Sequence, residues 1–217
     1  MKRKRINNKL KSRTEDSSGV FRDEFSGRTA VFIDAANLEK SVADLGTKPP
    51  RFKKLKTGFR WKALPKGYYK VDYKRLHEYF KSNTKLASIS FYSARFNTKL
   101  HDAFLTFLKL NGYRLVTKEV KEITVLGEEN KRKANFDVEI SVDAVAWMHN
   151  YNTFVLFSGD SDFAYLARFL KRNGKRVIVV SERGHVSNEL VKTAHKYQDL
   201  HTFKNRFIVL RKQKSRR

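Results

Sequence analysis

The sequence predicts an α/β domain of three layers, with a central, mostly parallel sheet of about five strands between helices. Two observations predict it. Short apolar runs rich in β-branched and aromatic residues alternate with longer amphipathic segments, as in strands joined by helical crossovers. The run Phe154–Phe157 is apolar without a break, as a strand covered on both faces must be.

Arg28–Ile33 opens the body as a strand, apolar from Ala30 to Ile33. Asn37–Leu45 continues as a helix with Leu38, Val42 and Leu45 on one side. Asp72 caps a helix through Phe80 that turns Leu76, Tyr79 and Phe80 inward. Leu86–Tyr92 is the second strand. Thr98–Leu110 is a helix stopped by Asn111-Gly112, and Tyr113–Thr117 is the third strand. Glu119–Lys133 is charged, with a β-branched patch at Ile123–Val125 before Gly127, and reads as a hairpin or an arm. Phe136–Asn150 is a helix, Thr153–Phe157 the central strand, Asp160–Arg172 a helix ending at Asn173-Gly174, and Arg176–Val180 the fifth strand. Asn188–Tyr197 is the last helix, and Phe203–Leu210 adds an edge strand. There is no internal repeat and no sign of a second domain.

Charge divides the chain further. It has 47 Lys and Arg against 22 Asp and Glu, a formal +25. Of the basic residues, 23 sit in three acid-free stretches, 1–14, 48–70 and 204–217, which leaves the rest of the chain near neutrality. The expected organisation is a basic N-terminal tail over 1–27, a domain over 28–203 with a basic insertion at 48–70, and a basic C-terminal tail from 204. Tails of this composition stay disordered alone. The insertion interleaves Arg51, Lys53 and Lys54 with Phe52, Phe59, Trp61, Tyr68 and Tyr69. Such a mixture suits single-stranded nucleic acid, since bases stack on rings while cations follow the phosphates. The plainer alternative is a solvated loop whose rings cap the core.

A strongly basic chain needs a polyanion, either nucleic acid or an anionic membrane surface. No apolar run approaches the length of a membrane helix, and no apolar stretch follows the basic N-terminus as in a secretory signal. The chain has no Cys, which removes disulfides and thiolate zinc sites. A cytoplasmic location is the simplest default. Apolar residues on the last helix and the edge strand offer a surface for a homodimer.

Ligands of parallel α/β sheets bind beyond the carboxyl ends of the strands. Asp34 follows the first strand, Asp160 and Asp162 follow the central one, and Asp137 opens the helix between. Each alone reads as a cap or turn residue. Together at one edge they repel one another, and a dication removes that penalty. All-oxygen ligands suit Mg2+ or Mn2+. Lys133, just upstream of Asp137, either binds phosphate or neutralises the acids. The six histidines are scattered without an i, i+4 pair, so a histidine metal site is not expected, although His185 lies near the acidic edge.

At these residues the sequence resembles the NYN domains, the LabA-like branch of the PIN-like ribonucleases. Val31-Phe32-Ile33-Asp34-Ala35-Ala36-Asn37 resembles their opening motif. Lys133 to Asp143 resembles the middle one, and Ser158-Gly159-Asp160-Ser161-Asp162-Phe163 matches the third throughout. The resemblance covers roughly 28–201. It implies a PIN-like, Rossmann-like fold and divalent-metal cleavage of RNA, with Asp34, Asp137, Asp160 and Asp162 as both metal ligands and catalytic residues. It implies that Asn37 holds a carboxylate or the substrate, and that Ser158 supports the loop or contacts phosphate. Asp143 fits a helix-face role better than a ligand role. The closing helix departs from the family in carrying His195 where an Asp is usual.

Two other classes compete. One is an RNA- or ribosome-associated binding protein that kept the fold without catalysis, but such a protein gains nothing from four clustered acids. The other is a different hydrolase. Toprim-type domains need a Glu where this chain has Asp34, and haloacid-dehalogenase-type phosphatases need Asp-x-Asp where it has Asp34-Ala35-Ala36.

Overall fold

Strand and helix alternate through the chain much as the apolar pattern requires. A computed structural model describes residues 27–45, 67–119, 121–123, 131–133 and 135–212. In chain order the elements are β1 (Arg28–Asp34), α1 (Ala35–Asp44), β2 (Gly67–Val71), α2 (Tyr73–Asn83), β3 (Lys85–Arg95) and α3 (Lys99–Leu110). Then come β4 (Arg114–Glu119), β5 (Lys121–Ile123), β6 (Lys131–Lys133), α4 (Asp137–Ala146), β7 (Thr153–Phe157) and α5 (Phe163–Arg172). The series closes with β8 (Arg176–Ser181), α6 (Asn188–Thr193), β9 (Lys196–Asp199) and β10 (Ile208–Lys212).

Six strands form the central sheet in the order β4-β3-β1-β7-β8-β9, and every neighbouring pair is parallel. The chain builds outward from β1 through β3 to β4, then returns to the other side of β1 and builds outward again from β7. This is the Rossmann-like order, and it leaves a crevice between the carboxyl ends of β1 and β7. Both strands are buried on both faces: all of β7 and all of β1 after Arg28 are buried, with Asp34 at the end of β1 retaining 7% exposure.

Alternate residues of β1 feed two cores, as the period of a strand dictates. Val31 and Ile33 pack with Leu38 and Val42 of α1 and with Leu76 and Phe80 of α2. Ala30 and Phe32 pack with Ile140 and Ala144 of α4 and with Leu166 and Leu170 of α5. Helices therefore cover both faces, and the third layer follows. Caps fix where helices begin. Asp34, Asp72, Thr98 and Ser187 each accept a backbone N–H from the first turn of α1, α2, α3 and α6.

The structure departs from the sequence reading in three places. The last helix ends at Thr193, because Ala194 turns to extended backbone and the His195 N–H pairs with the Val177 carbonyl. Lys196–Asp199 then runs beside β8 as a sixth strand. The strand near the C-terminus does not edge the main sheet. It is β10, and it pairs antiparallel with β2, a strand not foreseen, in a separate two-stranded ribbon. Residues 204–212 are thus part of the body, with Phe207 and Ile208 fully buried. Leu190 of α6 is also fully buried, whereas Leu210 of β10 is exposed. The expected hairpin is present as the β5–β6 pair. Among the described residues no helix is long and apolar enough to cross a membrane.

Candidate functional site

The crevice between β1 and β7 gathers the acidic residues. Asp34 ends β1 and caps α1. Its carboxylate is buried and accepts from the Asn37 side-chain amide at 2.7 Å, from the Asn37 backbone N–H at 3.3 Å and from the Ser158 hydroxyl at 3.4 Å. Ser158 is itself buried and accepts the Asp160 N–H at 3.3 Å. Asp160 accepts the Asp162 N–H at 3.1 Å. One chain of hydrogen bonds therefore ties the end of β1 to the whole loop that leads into α5.

Asp137 enters from the third segment, at the first turn of α4, and its N–H donates to the Asn135 side chain at 3.0 Å. Asn135 was not singled out from the sequence. Its signal was an Asn two residues before a helix start, where it closes a local turn. Carboxylate oxygens of Asp137, Asp160 and Asp162 all lie within 4.8 Å of one another. Asp34, expected as a fourth ligand, is not part of this trio; its carboxylate is held by Asn37 and Ser158.

Crowding has an electrostatic consequence. The Asp137 carboxyl is held above the ordinary aspartate range by burial, and the charges of Asp160, Asp34 and Asp162 push it the same way against its Asn135 contact. Burial also pushes Asp34 up, against the bonds from Asn37 and Ser158 that favour its charge. Without a cation both carboxylates carry their charge at a cost.

Gly159 shows why the loop holds its shape. A Cβ there would meet the His185 carbonyl oxygen at 2.0 Å, and the Ser187 N–H bonds the Gly159 carbonyl at 2.9 Å. The loop after β8 is pressed directly onto the loop after β7, which only glycine permits.

The remaining expected residues are placed differently. His185 contacts the Asp44 carboxylate at 2.5 Å rather than the acids. Asp143 bonds Arg114 at 2.7 Å and the Tyr92 hydroxyl at 2.9 Å, the helix-face role. Lys133 ends β6. Arg51, Lys53 and Lys54 lie outside the described residues, as do 1–26, 46–66 and 213–217.

Known proteins agree with this architecture. The chain is 29% identical over 185 residues to the low amplitude and bright protein LabA of Synechococcus elongatus, covering 82% of this chain and 86% of that protein. A crystal structure of a Vibrio parahaemolyticus protein of unknown function superposes with a TM-score of 0.59 at 19% identity, over 86% of this chain and 98% of that one. That likeness speaks for the fold alone. The model of the NYN domain matches residues 28–201. NYN domains fall among the PIN-like nucleases, which generally act on RNA and usually employ divalent metals. The chain belongs to the NYN domain family.

Proposed function

We propose that the protein is a metal-dependent endoribonuclease that hydrolyses phosphodiester bonds in RNA at the acidic crevice. One observation carries this reading: three carboxylates from two separate segments lie within 4.8 Å of one another at the switch point of the sheet. A buried fourth, Asp34, is tied to the Asp160 loop through Ser158.

The donor set fits a hard cation. All candidate ligands are carboxylate oxygens, as Mg2+ and Mn2+ prefer. The carboxylate oxygens of Asp137, Asp160 and Asp162 lie within 4.8 Å of one another, a spacing that one cation could bridge. Burial raises the Asp34 and Asp137 carboxyls, and for Asp137 the neighbouring acids add to it, a cost that a bound cation would offset. Asp137, Asp160 and Asp162 would hold the ion, with Asp34 adding charge. When bound, it supplies positive charge to the scissile phosphate and acidifies a water nucleophile.

The chain's own groups do the rest. Asn37 and Ser158 fix the Asp34 carboxylate, and Ser158 also fixes the start of the Asp160 loop. Asp137 and Asp162 position the attacking water. Lys133 and the basic segment with Arg51, Lys53 and Lys54 supply affinity for the backbone.

A second reading, an RNA- or ribosome-associated protein without catalysis, is favoured by one observation. A formal +25 gives backbone affinity with no chemistry needed. Incubating labelled single-stranded RNA with the protein in Mg2+, Mn2+ or EDTA separates the two, with Asp160→Asn alongside. The expected result is metal-dependent cleavage that falls by at least ~100-fold in Asp160→Asn, while RNA binding holds or tightens as a repelling charge is lost. Undiminished cleavage by Asp160→Asn removes the site, and binding without cleavage under every metal selects the second reading.

A further inference from the structure

Beside the acidic trio runs an apolar groove that the hydrolytic reading does not use. It lies between α4 and α5, has a volume of about 580 Å³, and is lined chiefly by Val142, Val145, Tyr165, Leu166 and Phe169. Asp162 lines its upper end, so groove and acidic crevice share a wall. The volume lies within the range of about 300–1,000 Å³ typical of small-molecule sites.

Its rim is unusually apolar for a surface with no partner. Tyr165 is 68% exposed and Val142 60%. On α5, Tyr165, Arg168 and Phe169 stand at i, i+3 and i+4 and share one face. The Arg168 guanidinium lies 6.0 Å from the Tyr165 ring centre and pairs with Glu189 at 3.0 Å. An exposed ring with a neighbouring guanidinium is the surface on which unpaired bases stack.

We propose that the α4–α5 groove seats an unpaired nucleobase of the RNA strand whose phosphate is presented to the acidic crevice. This deepens the nuclease reading and rests on RNA being the ligand of that crevice. The groove takes the flat apolar face of a base, and Tyr165 is its stacking platform. Base pairing would hide that face, so the preferred substrate is single-stranded next to the cut. A second copy of the chain fits worse. The groove shares Asp162 with the crevice, so a strand whose phosphate lies at the acids brings its neighbouring base to Tyr165, whereas a second copy has no such tie to the acids. A symmetric dimer there would also cover Asp162 and shut the crevice.

The test is a binding ratio read without cleavage. Full-length protein carrying Asp160→Asn, in EDTA, is titrated with a short oligouridylate and with an abasic oligomer of equal length. The expected result is a preference of roughly tenfold for the oligomer with bases. Tyr165→Ala should abolish that preference and Tyr165→Phe should keep it. A preference absent from the parent protein, or unchanged in Tyr165→Ala, overturns the inference. A dimer in light scattering that Tyr165→Ala dissolves overturns it too, by assigning the groove to a second copy. Failure of the nuclease reading is distinct: protein that never cuts RNA yet loses base preference in Tyr165→Ala keeps the groove and loses the hydrolysis.

Discussion

Asp137 sits under opposing influences. At the first turn of α4 the free backbone N–H groups favour a negative charge. Burial and the neighbouring Asp160, Asp34 and Asp162 oppose it, and the upward shift shows that they prevail. A carboxyl whose pKa is higher in the folded state adds stability only below its unfolded value and loses it as pH rises through the folded one. At neutral pH, then, the ionised Asp137 destabilises the metal-free fold. Asp137→Asn should raise the melting temperature in EDTA, by a few degrees at most. Mg2+ or Mn2+ should raise the melting temperature of the unaltered protein and leave that of the variant nearly unmoved. A variant that melts lower in EDTA would show that Asp137 serves the helix rather than an ion.

Elements depend on contacts that a local pattern does not record. The helices and five central strands were legible, because their apolar residues recur at periods of 3.6 or 2 or run unbroken, as in Phe154–Phe157. β9 was not. Lys196-Tyr197-Gln198-Asp199 is polar and follows a helix without a break in pattern, and it becomes a strand only because β8 offers it a ladder. β2 was hidden in the basic insertion, since its partner β10 lies far along the chain. The acids at the strand ends were legible from the rule that ligands meet those ends. The α4–α5 groove was not, because it arises only when two helices lie side by side. The α6–β9 junction carries its own prediction. The Val177 N–H donates to His195 Nδ1 at 3.0 Å, a bond that requires the neutral ring. Burial, with Lys171 and Arg176 nearby, holds the His195 pKa below the ordinary histidine value of 6.5. A histidine shifted down loses stability as pH falls from its unfolded value through its folded one. Acidification from neutral pH toward 5 should therefore lower the melting temperature, and His195→Asn should flatten that slope. An unchanged slope in the variant would place the acid sensitivity elsewhere.

Across the whole molecule, charge and topology act at different ranges. Nearly half the cations lie in three stretches, so long-range attraction belongs mainly to segments outside the catalytic wall. RNA affinity should fall steeply with salt, the logarithm dropping by about 0.7 per phosphate neutralised on a single strand. Deleting 1–14 and 213–217, which spares β10, should make that dependence shallower without altering the melting temperature. A slope that does not change would show that the tails do not touch the backbone. The sheet order has a different bearing, on the sequence of events during synthesis. β1 is made early, and β7, which closes its second edge, comes more than a hundred residues later. Until β7 is present, any sheet of β1, β3 and β4 would leave the second edge of β1 unpaired, the kind of surface on which chains mispair. The acids also remain apart, for Asp34 meets Ser158 across a sequence separation of 124. The acidic crevice is thus assembled only when the fold is nearly complete. Whatever chemistry the crevice performs therefore waits on the late docking of β7 against β1.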